Sequence, residues 1–321
     1  MAEIRINLEP NVNGVLVFSP GDTLRGNAEL IVQTPKRMRE FYIHIVGEAI
    51  ANWSSSGCHS TTIYTGKEPL IDFKMTVLGE ENGPKFMSDP GAYKCEYAFK
   101  LPDNIPYSLE ESGWIFDSYS GTIAYRVEAV VDNPYKMSKK IEFIVTRHDD
   151  LNLYPELKLP LKIVKQKIFP LFFKNDEILD MIVSIPYTGF SINQRIPVTV
   201  EYKNESTVDI RQTVVKFIRI LTLVFPKEEN PKIKTKESVV CEGRTHGCLA
   251  KNSIIIPIEL VVPNLSTSND MFCKVVSITY VIQIVAEIDS AFQTNKKVRI
   301  PVTIGKVPIR FEDQVQNNNT Q

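Results

Sequence analysis

Gly121–Asp132 reads GTIAYRVEAVVD, in which Ile123, Tyr125, Val127, Ala129 and Val131 alternate with Thr122, Arg126, Glu128 and Asp132. An apolar residue at every second position marks a strand with one buried face. The pattern returns at Val276–Asp289, VSITYVIQIVAEID, where Ile278, Tyr280, Ile282, Ile284 and Ala286 keep the same register. Other segments recur with it at a nearly constant offset. Lys139–Thr146, KKIEFIVT, is matched by Lys296–Thr303, KKVRIPVT, and a strand ending at Pro102 by one ending at Pro263. One domain design is therefore written twice.

Helical periodicity is nearly absent, and short alternating runs are separated by turn formers such as Ser19-Pro20-Gly21-Asp22. The expected class is all-β, with two tandem antiparallel β-sandwich domains produced by internal duplication. The first sandwich is expected over 1–148 and the second over 161–309. The charged, proline-containing run RHDDLNLYPELKLP, from Arg147, supplies a connection at 149–160, and a short polar tail occupies 310–321. Met38–Trp53 is apolar on both faces and is expected to be a central strand. The length of 321 residues agrees with two domains of ~100 to 200 residues each, and neither needs a metal or disulfide to fold.

Charge is balanced, with 37 basic and 38 acidic residues, so no global field draws the chain to nucleic acid or to an acidic membrane. The five scattered cysteines and the N-terminus MAEIRINLEP, which lacks a basic and then an apolar region, read as a reduced, cytoplasmic protein. No apolar run approaches the ~20 residues that a spanning helix requires.

No GxSxG, P-loop, GxGxxG or HExxH occurs, and His44, His59, His148 and His246 are far apart in sequence. No enzyme activity and no cofactor are expected. His44 alternates within a strand and reads as packed or hydrogen-bonded. The densest group of possible ligands is CEGRTHGC, with Cys241, His246 and Cys248, read as a glycine-containing hairpin turn. Zinc there would need a fourth ligand from Cys58, His59 or Cys273, and the spacing lacks a Cys-x-x-Cys knuckle, so no metal is expected. A thiol activated by Arg244 remains an alternative, giving a redox-responsive binder that uses Cys241 or Cys248. Lys139-Lys140 and Lys296-Lys297, each read as beginning the last strand of a half, either gather phosphate or acidic peptide or simply discourage edge pairing. Aromatic residues are not set beside basic runs, so nucleic acid is not an expected partner. Candidate protein contacts are the loop Gly79–Gly91 with Lys85 and Phe86, the loop Lys227–Lys232, the Cys241–Cys248 turn with His246, and Lys139-Lys140.

In order, FSPGDTLRGNAELIV, HIVGEAIANW, GAYKCEYAFKLPDNIP, GTIAYRVEAVVD, NLYPELKLP, VTVEYKNES, VSITYVIQIVAEI and VTIGKVPI resemble the arrestin fold, and within it the arrestin domain-containing proteins, or α-arrestins. The resemblance covers about residues 3–309 and rests on the ordered set, not on one motif. It implies two tandem immunoglobulin-like β-sandwich domains and a non-enzymatic cytoplasmic adaptor, at the plasma membrane or endosomes, that binds transmembrane receptors or transporters in trafficking, endocytosis or signal down-regulation. Peripheral membrane association and a link to ubiquitination are part of that implication. A ubiquitin ligase is an implied partner through Pro-Pro-x-Tyr motifs in a long tail, but this chain holds no Pro-Pro pair and only RFEDQVQNNNTQ after Ile309. The adjacent lysines with which visual and β-type arrestins sense phosphate on the first strand are also missing, since that strand offers only Arg5. A retromer-like coat subunit shares the fold and stands as an alternative.

Overall fold

The computed structural model describes residues 2–11, 14–57, 60–113, 118–132, 136–169, 177–269, 271–290 and 293–311. Among them the regular structure is all strand apart from two short 3-10 turns. The first half runs β1 (Ala2–Leu8), β2 (Val17–Phe18), β3 (Thr23–Val32), β4 (Lys36–Met38), β5 (Glu40–Ser56), β6 (Thr61–Gly79), β7 (Phe86–Ser88), β8 (Gly91–Lys100), β9 (Leu109–Gly113), β10 (Tyr119–Asp132) and β11 (Met137–Val145). The second runs β12 (Leu161–Phe169), β13 (Glu177–Ile185), β14 (Gly189–Ser191), β15 (Arg195–Asn204), β16 (Ile210–Phe225), β17 (Lys232–Cys248), β18 (Asn252–Val261), β19 (Val276–Ile288) and β20 (Lys296–Gly305).

The duplication is visible in the sheet order. β1-β3-β8 form one sheet of the first half and β2-β11-β10-β5-β6 the other, with β9 added to β10 and β4 paired with β7. The second half repeats these as β13-β15-β18, extended by β12, and β14-β20-β19-β16-β17. In both, a very short strand lies parallel to the last one: Val17 and Phe18 beside Ile144 and Val145, and Gly189–Ser191 beside Thr303–Gly305. β5 is flanked on both sides, by β10 and β6, so it is an interior strand of its sheet, and its first residues are buried on both faces.

Burial follows the period-two pattern. Ile123, Tyr125, Val127, Ala129 and Val131 are all buried in β10, and so are Ile278, Tyr280, Ile282, Ile284 and Ala286 in β19. Each fully buried large side chain contributes roughly 1.5–3 kcal/mol, so these two rows alone are a large part of what stabilises each half. On the outward face of β10 Arg126 pairs with Glu128 of its own strand and with Glu48 of β5.

Both rows carry a tyrosine whose hydroxyl is spent on the backbone. Tyr125 donates to the carbonyl of Pro106 at 2.7 Å, and Tyr280 to that of Ser266 at 2.5 Å. Each acceptor lies in the connection that leaves the preceding edge strand, β8 or β18, and returns to the other sheet. A third buried hydroxyl contact, Tyr202 with Thr213 at 2.9 Å, joins β15 to β16 across the second sandwich. The turn at Ser19–Asp22 has Pro20 followed by Gly21 at φ +85°, the combination a type II turn requires, and Asp22 accepts from the Ser19 amide at 2.7 Å.

Two compact units divide the chain: Met1–Arg147 with Thr222–Thr235 and Asn269–Ser277, and His148–Leu221 with Lys236–Ser268 and Ile278–Gln321. The run at 149–160 is not an extended linker. It folds into 3-10 turns at Leu151–Leu153 and Pro155–Lys158, buries Leu151, and places Asp150 beside Val307 of the second unit. At the far end of β13, Glu177 accepts from the Thr207 amide (2.6 Å), the Thr207 hydroxyl (2.7 Å) and Lys251 (3.0 Å).

Removing the hydroxyl by Tyr125→Phe or Tyr280→Phe leaves a buried carbonyl without its donor, and a loss of about 1–3 kcal/mol is expected in denaturant unfolding. The three donors on Glu177, the Thr207 hydroxyl foremost, lower its pKa from 4.5 to about 2. A depressed carboxylate stabilises the fold above its unfolded pKa and loses that contribution as pH falls through the folded value. A carboxyl titration followed by NMR should therefore place the Glu177 midpoint near 2 and shift it upward in Thr207→Val.

Candidate functional site

The segment Gly79–Gly91 is a built structure and only in part a loop. A turn at Glu80–Gly83, with Asn82 at φ +58° and the Gly83 amide donating to Glu80 at 3.1 Å, leads into β7, which pairs with β4 in the register Met38–Phe86, Arg37–Met87, Lys36–Ser88. Ser88 is buried and donates to the Lys36 carbonyl at 3.0 Å. Lys85 is exposed, Phe86 is half-buried and Met87 is 59% exposed, so the tip offers a cation beside an apolar side chain. Gly79 is required where it stands. Its φ is +82°, and a Cβ would lie 2.1 Å from the Arg39 carbonyl and 2.9 Å from the Phe86 ring.

Beneath this tip lies a charge cluster that sequence reasoning missed. Glu40 is 5% exposed and accepts from Lys74 at 2.8 Å; Lys74 also donates to Glu81 at 3.0 Å and sits 4.3 Å from the centre of the Tyr42 ring. Burial disfavours the ammonium, yet the hydrogen bonds to Glu40 and Glu81 outweigh it and raise the Lys74 pKa. Arg39 faces Asp132 at 3.6 Å. Glu40 and Lys74 are distant in sequence and meet only through the β5–β6 register, which leaves no local signal.

The Cys241–Cys248 segment is not a turn. It is the second half of β17, a continuous strand of 17 residues. Its glycines mislead because Gly247 marks a close approach: a Cβ there would lie 1.8 Å from the Ile210 carbonyl oxygen. In an extended strand Cys241 and Cys248, an odd number of residues apart, point to opposite faces and are separated by roughly 23 Å. They cannot share a metal, and no cluster of three or more ligands occurs among the described residues. Cys58 and His59, the other candidate ligands, lie outside the described residues.

The thiols are also shifted against reactivity. Arg244 is held by Glu242 at 2.7 Å, and burial raises the pKa of Cys241 and, with help from Asp209, that of Cys248. Burial likewise pushes Cys273 up to about 11. His246 is exposed and turns Nδ1 to the Gly247 carbonyl at 3.1 Å. His44 bonds Asp72 at 2.6 Å.

The lysine pair of the first half does not open its strand, since β11 begins at Met137. Lys139 and Lys140 stand opposite Ala129 and Glu128, and Lys140 pairs with Glu142 at 2.7 Å. On its outer side β11 is covered by β2 only at Ile144 and Val145, so the pair charges an otherwise open edge. The Lys227–Lys232 loop is exposed throughout. None of these elements assembles a catalytic constellation; what they offer are edges and projecting tips.

Replacing Lys74 by Met leaves Glu40 buried without its cation and should cost about 3 kcal/mol in chemical unfolding, with Lys74→Met/Glu40→Gln recovering most of the loss.

Comparison with known proteins accords with this frame. Residues 5–152 match the family described as arrestin (or S-antigen), N-terminal domain, and residues 175–309 match arrestin (or S-antigen), C-terminal domain. Arrestin domain-containing protein 1 of Rattus norvegicus is 22% identical over 312 residues, 96% of this chain and 64% of the rat protein. The Homo sapiens protein of the same name is 20% identical over 301 residues, 92% of this chain and 63% of its own length. An arrestin domain-containing protein of Schizosaccharomyces pombe is 25% identical over 205 residues, 62% of this chain and 32% of that protein. The chain thus spans less than two thirds of the length of these curated relatives. With both arrestin domains in tandem, in the order and sheet topology described, the chain belongs to the arrestin family and is similar within it to the arrestin domain-containing proteins.

Proposed function

We propose that this chain is a non-enzymatic adaptor that binds membrane-protein cargo, such as receptors or transporters, and takes part in their sorting, endocytosis or down-regulation from the cytoplasmic side of the plasma membrane or endosomes. The observation that carries this reading is the pair of arrestin domains at 5–152 and 175–309. The physical design suits it: register-fixed sheets hold projecting elements in constant geometry, so recognition residues reach a partner with little ordering cost.

The tip of β7 is the best contact element in this reading. Lys85, Phe86 and the exposed Met87 present an apolar anchor with a charge at its rim, the composition that concentrates binding energy at interfaces. Lys139, Lys140 and His246 are exposed contacts of a weaker, solvated kind. Cys241 and Cys248 serve as packed strand residues in this reading, since their thiols are raised in pKa. A ubiquitin ligase belongs among the partners, reached by a route other than a Pro-Pro-x-Tyr motif within these 321 residues. No helix among the described residues is long and apolar enough to cross a membrane, so on this reading contact with cargo is made by surface elements.

The test is proximity labelling in the source cell with the natural full-length protein and with a Phe86→Ala/Met87→Ala variant. Membrane receptors or transporters should dominate the labelled set, and their recovery should fall about fivefold or more in the variant. A labelled set without membrane proteins would overturn the adaptor reading, and an unchanged set in the variant would move the contact away from β7.

A further inference from the structure

Two Ser-Pro or Thr-Pro steps occur in the chain, Ser19-Pro20 and Thr34-Pro35, and they stand in opposite settings. Ser19 is half-buried in the closed Ser19–Asp22 turn, where its amide donates to the Asp22 carboxylate at 2.7 Å. Thr34 is exposed, together with Gln33 and Pro35, in the short connection from β3 to β4, and Lys36 and Arg37 follow it. The residue before a proline is kept out of the helical region, so Thr34 leads into β4 with open backbone and its side chain at the surface.

The cations after Thr34 are not neutralised. The run Gln33–Arg39, QTPKRMR, contains no acidic residue. Arg39 faces Asp132 at 3.6 Å, but among the described residues no carboxylate pairs with Lys36 or Arg37. β4 and β7 form a sheet of their own, in which Arg37 stands opposite Met87. Both are exposed, while Met38 and Ser88 are buried, so Arg37 and Met87 share the outer face of this ribbon.

This pattern has a chemical reading. A protein kinase whose pocket for the residue after the acceptor offers nothing to a backbone N–H selects proline there, because any other residue would bury that donor unpaired. Anionic groups beside such a pocket favour lysine or arginine in the positions that follow. Thr34-Pro35-Lys36-Arg37 meets both requirements. Ser19-Pro20-Gly21-Asp22 meets the first only, and puts an acid where the second needs a cation.

We propose that Thr34 is the acceptor of a proline-directed serine/threonine kinase, and that its modification switches off the contact made by the β7 tip. In the reaction Thr34 Oγ1 gives up its proton and bonds to the γ-phosphorus of ATP, the bond from that phosphorus to the bridging oxygen breaks, and ADP leaves. The product carries about −1.5 to −2 charges at neutral pH, directly ahead of Lys36 and Arg37. A guanidinium binds phosphate oxygens in pairs, so Arg37 turns toward Thr34 and away from Met87. The exposed apolar anchor loses a cation from its rim and gains a dianion beside it. That consequence rests on the β7 contact proposed above; the modification itself does not.

The first test incubates the full chain with magnesium ATP and a purified cyclin-dependent kinase and locates the phosphate by mass spectrometry. Phosphate should enter at Thr34, persist there in Thr34→Ser and in Ser19→Ala, and be lost in Thr34→Ala. Its entry should slow about tenfold or more in Pro35→Ala and in Lys36→Gln/Arg37→Gln. Incorporation only at other residues, or at an unchanged rate in Pro35→Ala, overturns the site. Phosphorus NMR of the product, followed against pH, tests the pairing: Arg37 should hold the second ionisation of the phosphate at lower pH than in Arg37→Gln, and equal midpoints overturn the switch. In the proximity-labelling experiment Thr34→Glu should match the roughly fivefold loss of Phe86→Ala/Met87→Ala, with Thr34→Ala labelling at least as well as the wild type. Undiminished recovery with Thr34→Glu also overturns the switch. A labelled set without membrane proteins would sink the adaptor reading and leave the kinase result standing.

Discussion

Tyr125 and Tyr280 each carry a hydroxyl into an apolar core and donate it to a backbone carbonyl, of Pro106 and of Ser266. Much of each half follows from that bond. A phenol buried without a partner is costly, so the connection from β8 or β18 to the opposite sheet has to pass where it can accept. That fixes the crossover, and the crossover fixes which strands become edges. The neighbouring rings tighten the arrangement: Phe143 lies 5.8 Å from Tyr125, and Phe217 stacks 5.3 Å from Tyr280. Burial raises the Tyr125 pKa, which holds that phenol neutral and makes its hydrogen bond to Pro106 hard to exchange for another.

With the cores spent on packing, chemical individuality moves to the edges. Sheet edges present unpaired backbone groups and need protection. Here lysines give much of it, yet they do so in three electrostatic situations. Lys140 is neutralised locally by Glu142 on its own strand. Lys74 is neutralised by Glu40 and Glu81 beneath the β7 tip. Lys167 and Lys296 are held by backbone carbonyls, of Thr294 and of Gln166. Sequence composition treats the three alike; only the fold distinguishes a solvated edge, a structural ion pair and a pair of lysines held on backbone carbonyls.

The alternation in GTIAYRVEAVVD and in VSITYVIQIVAEID was enough to read the all-β class, the duplication and the core rows, because period-two burial is a local property of the chain. The central place of β5 was legible for the same reason, from its two apolar faces. The glycines of CEGRTHGC were misread because a glycine serves equally as a turn and as a point of close backbone approach, and Gly247 is the second kind. The β7–β4 pair escaped notice because three-residue strands carry too little pattern. The Glu40–Lys74 cluster and the Lys167–Lys296 clamp join residues far apart in sequence, and their pairing exists only after register is set. What is local was readable; what depends on registry was not.

The two short parallel strands have a consequence for the order in which the chain can assemble. Val17 and Phe18 finish the first large sheet only when Ile144 and Val145 arrive beside them, and Gly189–Ser191 wait in the same way for Thr303–Gly305. Closure of each half is thus a strongly non-local event, and contacts of this kind form slowly because the loop must be closed before any bond rewards it. During synthesis the strands that precede β11 emerge with one border of the sheet still unsealed, a state open to pairing with another nascent chain. Folding helpers would act in that interval, and substitutions at residues 17–18 or 189–191 would show first as lower yield rather than as altered recognition.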